Sequence, residues 1–332
     1  MVNIASSDAK YNADAAIPPR AMRNESRGRK LSPGEILTAA RRTSAQYRQS
    51  PVKLLRYGPS GAERPGLLDH QGVVRDLSSV IPDLDGTTLN PQQLGSLESL
   101  DATRLAAVAG SPRLGPCVAQ PGKFICIGLN YTDHAAEIGA AIPKEPVVFL
   151  KATSALSGPN DPIIQPRDST KLDWEVELAF VIGTECRYVD EVQGAAAIAG
   201  YFVCHDVSER AFQLERGGQW DKGKGCDSFG PIGPWLVTAA EVRDPCRLAM
   251  WLDVNGRRFQ SGSTQNMIFK PAFLVSYLSK FMSLQPGDVV TTGTPSGVGL
   301  SQRPPVFLGV GDTVSLGIEG LGEQRQSVVA SR

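Results

Sequence analysis

The run Asp173-Trp174-Glu175-Val176-Glu177-Leu178-Ala179-Phe180-Val181-Ile182-Gly183 sets two carboxylates two residues apart in otherwise apolar text. Its β-branched and aromatic residues predict a buried strand, in which side chains two apart point to one face at about 7 Å spacing. Glu175 and Glu177 therefore project together. Burying two unpaired carboxylates is costly, so something positive should meet them, and a hard divalent cation does so. An edge strand with both glutamates in water is the alternative. A second apolar strand, Gly200-Tyr201-Phe202-Val203-Cys204, runs into His205-Asp206-Val207-Ser208 and places Asp206 at a strand end before a predicted helix. There it suits a third ligand and a helix N-cap equally. Three carboxylates without a Cys/His cluster select Mg²⁺ or Mn²⁺, or Ca²⁺, over Zn²⁺. His205 reads as a packing or hydrogen-bonding residue.

His134 and Glu137 follow the strand end Ile127-Gly128 and the loop Leu129-Asn130-Tyr131. Three apart on a helix, they share a face, and a carboxylate beside an imidazole raises its basicity as a water-activating base requires. A surface His/Glu pair has the same spacing. The stretch from Gly218 to Lys224 imitates a phosphate-binding G-x4-G-K loop, but Gly225 stands where Ser or Thr must hold Mg²⁺, and no apolar strand precedes it. Nucleotide binding is thereby excluded, and Lys224 on a Gly-rich loop suits an anionic substrate or oxyanion. Gly293-Thr294-Pro295-Ser296-Gly297 is a second Gly-rich turn, able to offer backbone N–H groups and the Thr294 hydroxyl to a carboxylate.

The elements that must position these groups are mostly short strands. Candidates lie at Phe124–Gly128, Val147–Lys151, Trp174–Gly183, Gly200–Cys204, Pro234–Val237, Ala249–Val254, Asp288–Thr292 and Thr313–Ile318, separated by few helices: Tyr131–Ile138, Val189–Ala199, Ser208–Arg216 and Lys270–Phe281. That pattern predicts an α+β, mainly β fold, a mixed roll or barrel in place of a doubly wound sheet. Residues 52–111 read as a small N-terminal β-rich domain, with strands at Lys53–Tyr57, Pro65–Asp69 and Val73–Asp76, and residues 112–332 as the main domain. Residues 1–51 read as a disordered basic leader, because they are nearly free of large apolar residues. Residues 1–50 hold 9 Lys/Arg against 4 Asp/Glu. A targeting segment, a regulatory tail and a misassigned start at Val52 are its three readings.

The whole chain of 332 residues balances 34 Lys/Arg against 34 Asp/Glu, so it lacks the signature of a nucleic-acid binder, and no apolar run nears a membrane span. Six cysteines without a C-x-x-C fit reduced thiols in a cytoplasm. Small molecules and further copies of the chain are the expected partners.

Taken in order, five motifs resemble the fumarylacetoacetate hydrolase family over residues 52–330: G-L-N-Y-T-D-H-A-A-E at 128–137, D-W-E-V-E-L at 173–178, H-D-V-S-E-R at 205–210, K-G-C-D-S-F-G-P at 224–231 and G-T-P-S-G-V-G at 293–299. The resemblance implies a mixed β-roll catalytic domain and a homodimer. It implies a metal on Glu175, Glu177 and Asp206, a catalytic dyad of His134 and Glu137, and Lys224 on the oxyanion or substrate. Arg210 and Gln213 would face the substrate, and Thr294 its carboxylate. Further text at 53–59, 216–225 and 318–326 is similar to a subgroup resembling 2,4-diketo-3-deoxy-fuconate or -rhamnonate hydrolases, often labelled ureidoglycolate lyases. The implied reaction is hydrolytic C–C cleavage of a 2,4-diketo acid to pyruvate and a short acid. Ureidoglycolate cleavage, oxaloacetate decarboxylation and isomerisation of a hydroxy-diene-dioate are rivals on the same site. A non-catalytic binding protein using the basic leader is the rival from another class.

Overall fold

The computed structural model describes residues 52–331, and the leader lies outside them. The strands are β1 (Lys53–Tyr57), β2 (Arg64–Leu68), β3 (Val74–Asp76), β4 (Phe124–Gly128), β5 (Val147–Lys151), β6 (Leu156–Ser157), β7 (Ile163–Gln165), β8 (Leu172–Asp173), β9 (Val176–Ile182), β10 (Ile198–His205), β11 (Ser208–Glu209), β12 (Gly230–Thr238), β13 (Ala249–Val254), β14 (Arg257–Ser263), β15 (Val289–Thr291), β16 (Thr313–Ile318) and β17 (Gly322–Ala330). A ten-stranded open sheet runs β3-β2-β1-β12-β10-β9-β15-β4-β5, with β6 beside β12, and a five-stranded sheet runs β14-β13-β16-β17-β7. The fold is α+β and mainly β, as the strand-rich pattern predicts. The large sheet does not close into a ring.

Strand β9 lies in the middle of the large sheet, and all seven of its residues are buried. Val176, Leu178, Phe180 and Ile182 alternate onto one face, in a core shared with Leu252, Val314 and Leu316 of the five-stranded sheet. Ala179 and Val181 alternate onto the other, in a core shared with Leu84, Leu89 and Leu97. Because both faces are covered, β9 reads as a continuous apolar run, and each polar residue within it needs a specific partner. Residues 52–111 supply β1 to β3, and β1 pairs with β12 (Lys53 opposite Val237), so these strands extend the same sheet.

Three helices differ from their predicted spans at the ends only, at Thr132–Glu137, Glu191–Ala196 and Pro271–Leu278. The predicted helix at Ser208–Arg216 begins at Arg210, because Ser208 and Glu209 pair instead with Asp173 and Leu172. Among the described residues no helix is long and apolar enough to cross a membrane.

Candidate metal centre and active site

Strand register builds the acidic centre. Pairing of β9 with β10 sets Glu177 opposite Cys204 and Val176 opposite His205. One step further on, the Asp206 N–H donates to the Glu175 carbonyl at 3.0 Å. Opposed residues share a face of a sheet, so Glu175, Glu177 and Asp206 converge. One ligand oxygen from each lies within 4.8 Å of the others, and all three residues are buried. Asp206 is not a helix cap, since Glu209 caps the helix Arg210–Glu215 by accepting from the Ala211 N–H at 3.0 Å.

Three buried cations meet these carboxylates unequally. Lys224 Nζ bridges Glu175 Oε2 at 2.9 Å and Asp206 Oδ2 at 2.7 Å. Arg210 reaches Glu175 Oε1 at 2.6 Å. Lys151 Nζ lies 2.6 Å from Asp206 Oδ1. Burial pushes the Glu175 carboxyl up, but Lys224 and Arg210 outweigh it and hold the group well below the usual carboxylate range. Glu177 is the exception. It accepts from the Gly293 N–H at 2.9 Å and forms no ion pair among the described residues. Burial, then the charges of Asp206 and Glu175, push its carboxyl well above the ordinary range. A buried carboxylate without an ion pair, with oxygens of two further buried carboxylates within 4.8 Å, is a donor set that fits one hard divalent cation.

Glu175 and Glu177 face a solvent-open pocket with a cavity volume of about 180 Å³. His134, Arg210, Gln213, Lys224 and Thr294 line the same pocket, so the structure brings seven of the nine expected site residues to one cavity. Asp206 lies beneath it, fully buried, and Glu137 stands behind His134. His134 Nδ1 is 3.0 Å from Glu137 Oε2, and Glu137 Oε1 accepts from the Gly297 N–H at 2.9 Å. Burial raises the Glu137 carboxyl, but the His134 and Gly297 hydrogen bonds prevail and keep it low. An ionised Glu137 can only accept, so Nδ1 carries the hydrogen and Nε2 is left as the basic lone pair.

The remaining residues are more committed than their sequence suggested. Lys224 ends a one-turn helix, Asp221–Lys224, where a Gly-rich loop was expected. Gly223 packs there against the Glu209 carbonyl and the Gln213 backbone, with no room for a side chain. Gln213 Oε1 accepts from Arg210 at 3.1 Å. The Thr294 hydroxyl donates to the Val176 carbonyl at 2.8 Å and accepts from Gln260 Nε2 at 2.8 Å. His205 is a fully buried packing residue, 3.0 Å from Gln326 Oε1, and burial lowers its pKa to about 4.

Three supporting residues escaped the sequence reading. Lys151 ends β5 and looks there like a surface lysine, yet it is 3% exposed. Gln260 cross-links Val176 N–H and the Pro295 carbonyl. Asp173, also fully buried, accepts from Arg210 Nε at 2.8 Å and from the N–H groups of Trp174, Gly299 and Leu300. Asp173→Ala therefore leaves a buried guanidinium half paired and three N–H groups unsatisfied. The expected loss is about 3–5 kcal/mol of unfolding free energy by urea titration. A change below about 1 kcal/mol would show that the contact carries no stability.

The chain is similar to known proteins. Residues 123–329 match the family model described as fumarylacetoacetate (FAA) hydrolase C-terminal. A Burkholderia ambifaria protein that carries a provisional hydrolase name is 60% identical over 282 residues, covering 85% of this chain and 100% of its own. The crystal structure of maleylpyruvate hydrolase from Sphingobium sp. SYK-6, in complex with manganese(II) and pyruvate, matches with a TM-score of 0.70 at 29% identity, covering 84% of this chain and 100% of that one. The 2-hydroxyhepta-2,4-diene-1,7-dioate isomerase from Mycobacterium marinum matches with a TM-score of 0.64 at 33% identity, over 84% and 99% of the two chains.

Proposed function

Because this chain belongs to the fumarylacetoacetate hydrolase family, we propose that it is a divalent-metal-dependent hydrolase that cleaves 2,4-diketo acids to pyruvate and a carboxylic acid. One observation carries the reading: two carboxylates of a buried three-carboxylate centre and His134, held by Glu137, line one pocket. The manganese and pyruvate in the Sphingobium neighbour support both the metal and the product.

Glu175, Glu177 and Asp206 would hold Mg²⁺ or Mn²⁺, or Ca²⁺. The bound cation would supply Lewis-acid stabilisation to the charge that builds on the departing pyruvate oxygen. Arg210 and Gln213 border the substrate, and Thr294 would exchange the Val176 carbonyl for the substrate carboxylate. His134 takes a proton from water through Nε2, while Glu137 holds Nδ1–H and supports the imidazolium. The hydroxide adds to C4, and the Lys224 ammonium faces the new oxyanion. Collapse of the adduct breaks C3–C4, and the electron pair passes to the pyruvate enolate. The proton that His134 took from water passes to C3 and completes pyruvate, and C4 leaves as the carboxylic acid.

The test is pyruvate release from a panel of 2,4-diketo acids, including the 3-deoxy sugar acids, with Mg²⁺ or Mn²⁺. Metal-dependent release that a chelator stops is the expected result. No release from any member with either metal would refute the reading. The Mycobacterium marinum neighbour favours isomerisation of a hydroxy-diene-dioate as the second reading, and product analysis separates the two. Oxaloacetate decarboxylation and ureidoglycolate cleavage are distinguished in the same way. We read the enzyme as cytoplasmic and without nucleic-acid or membrane partners, in keeping with six free cysteines and balanced charge. The aromatic ladder Phe273, Tyr277 and Phe281, with Phe281 exposed, supports a homodimer, which sedimentation velocity checks.

A further inference from the structure

On the proposed reading of the carboxylate centre as the keto-acid end, we infer that the mouth of the pocket is a subsite for an apolar, uncharged acyl group. The floor is closed, since Asp206 and Glu177 have essentially no exposure. A substrate seated there must send its C4 substituent outward, towards the mouth. What it meets comes from three separate segments: Ile138 after the helix Thr132–Glu137, Leu214 on the helix Arg210–Glu215, and Leu300 in the turn Gly299–Ser301. These three are 46%, 47% and 37% exposed, although large apolar side chains gain by burial. All of them line the same cavity as Glu175 and Glu177. Further in, Phe149 and Trp220 meet edge to face with ring centroids 5.4 Å apart and add an aromatic wall.

Charge points the same way. The lysine and arginine that line this pocket are Lys224 and Arg210, and both are held by buried carboxylates. A second carboxylate at the far end of the substrate would therefore lose its hydration without gaining a cation. A polyhydroxylated tail would find the Ser301 hydroxyl among mainly apolar walls. Arg303 stands outside, in an adjoining groove that also holds Glu137.

The acyl subsite can be probed apart from catalysis with 2-oxo acids that have no 4-keto group and so are not cleaved. The full-length protein loaded with Mg²⁺ is titrated calorimetrically with 2-oxo-4-phenylbutanoate, 2-oxoglutarate and 2-oxobutanoate. The phenyl acid is expected to bind about ten- to a hundredfold more tightly than 2-oxoglutarate, the range that apolar groups in a pocket confer. Leu214→Ser and Leu300→Ser should each weaken the phenyl acid about fivefold, as expected when roughly half a leucine's burial is lost, and should weaken the short 2-oxobutanoate less. Equal or tighter binding of 2-oxoglutarate would overturn the inference, and its loss in Arg303→Gln would locate the charged alternative. Equal weakening of all three acids by the leucine variants would also overturn it. No binding of any acid sinks the keto-acid centre and the subsite together. Intact phenyl preference with no diketo acid cleaved sinks the hydrolase reading alone.

Discussion

Glu177→Gln abolishes divalent-metal binding and turnover while leaving the metal-free fold as stable as before. Glu175 and Asp206 already share Lys224, and Arg210 adds to Glu175, so replacing either also strands a buried cation. Glu177 has no such partner among the described residues, and burial, then the charges of Asp206 and Glu175, push its carboxyl up and favour its protonated form when metal is absent. Glutamine is therefore close to its metal-free form in shape and charge. It cannot become the third anionic ligand that a hard cation needs. The loss in metal affinity should exceed the about 10–100-fold typical of removing an outer-shell partner.

The same protonation gives a pH signature. Metal must displace the Glu177 proton, so wild-type affinity should climb by up to about tenfold per pH unit from the ordinary carboxylate range upward, until the raised pKa is passed. For the metal-free fold the sign is opposite. A carboxyl whose folded pKa is raised binds its proton better folded than unfolded, so its contribution to stability falls as pH climbs through that interval. The variant should lack both trends. Calorimetry in two buffers of different ionisation enthalpy measures the released proton, and wild-type-like metal affinity in Glu177→Gln would remove this residue from the centre.

How much of this centre could be read in advance follows from the range of the interactions involved. Glu175 and Glu177 were legible because period-two alternation is local. Asp206 was legible as a position only, since ligand and N-cap share the same local text. Strand register decides for the centre by opposing it to Glu175. Lys151, Asp173 and Gln260 were not legible as support, because their partners stand 55, 37 and 84 positions or similarly far away. Lys151 pairs with Asp206 across the sheet, and nothing around it distinguishes that from a solvated strand end. Strands β14 and β17 were missed for a related reason. Along β17 the buried positions include Gln324 and Gln326, which donate to the carbonyls of Val203 and Pro159. Hydrophobic alternation is therefore interrupted where side-chain amides take over the inward contacts.

The hydrolase and decarboxylase readings part at His134. It lines the pocket, Glu137 fixes its Nδ1 hydrogen, and the Gly297 N–H fixes Glu137 in turn. His134→Ala should lower kcat for diketo-acid cleavage by the roughly 10²–10⁴-fold typical of a lost general base. Metal affinity should stay near wild type, because His134 is not among the three carboxylates that define the centre. Oxaloacetate decarboxylation needs no attacking water, so side activity of that kind should fall much less. Glu137→Gln should give the same pattern more mildly. The amide keeps the shape and loses the charge that supports an imidazolium, and it can present its NH₂ to Nδ1 and so favour the wrong tautomer. A pH profile adds a readout that simple misplacement of the helix would not move. If His134 acts as base, the acid limb of kcat at saturating metal should vanish in His134→Ala, whatever activity remains. Equal losses in cleavage and decarboxylation, with the acid limb intact, would mean that His134 positions substrate and that the base lies elsewhere in the pocket.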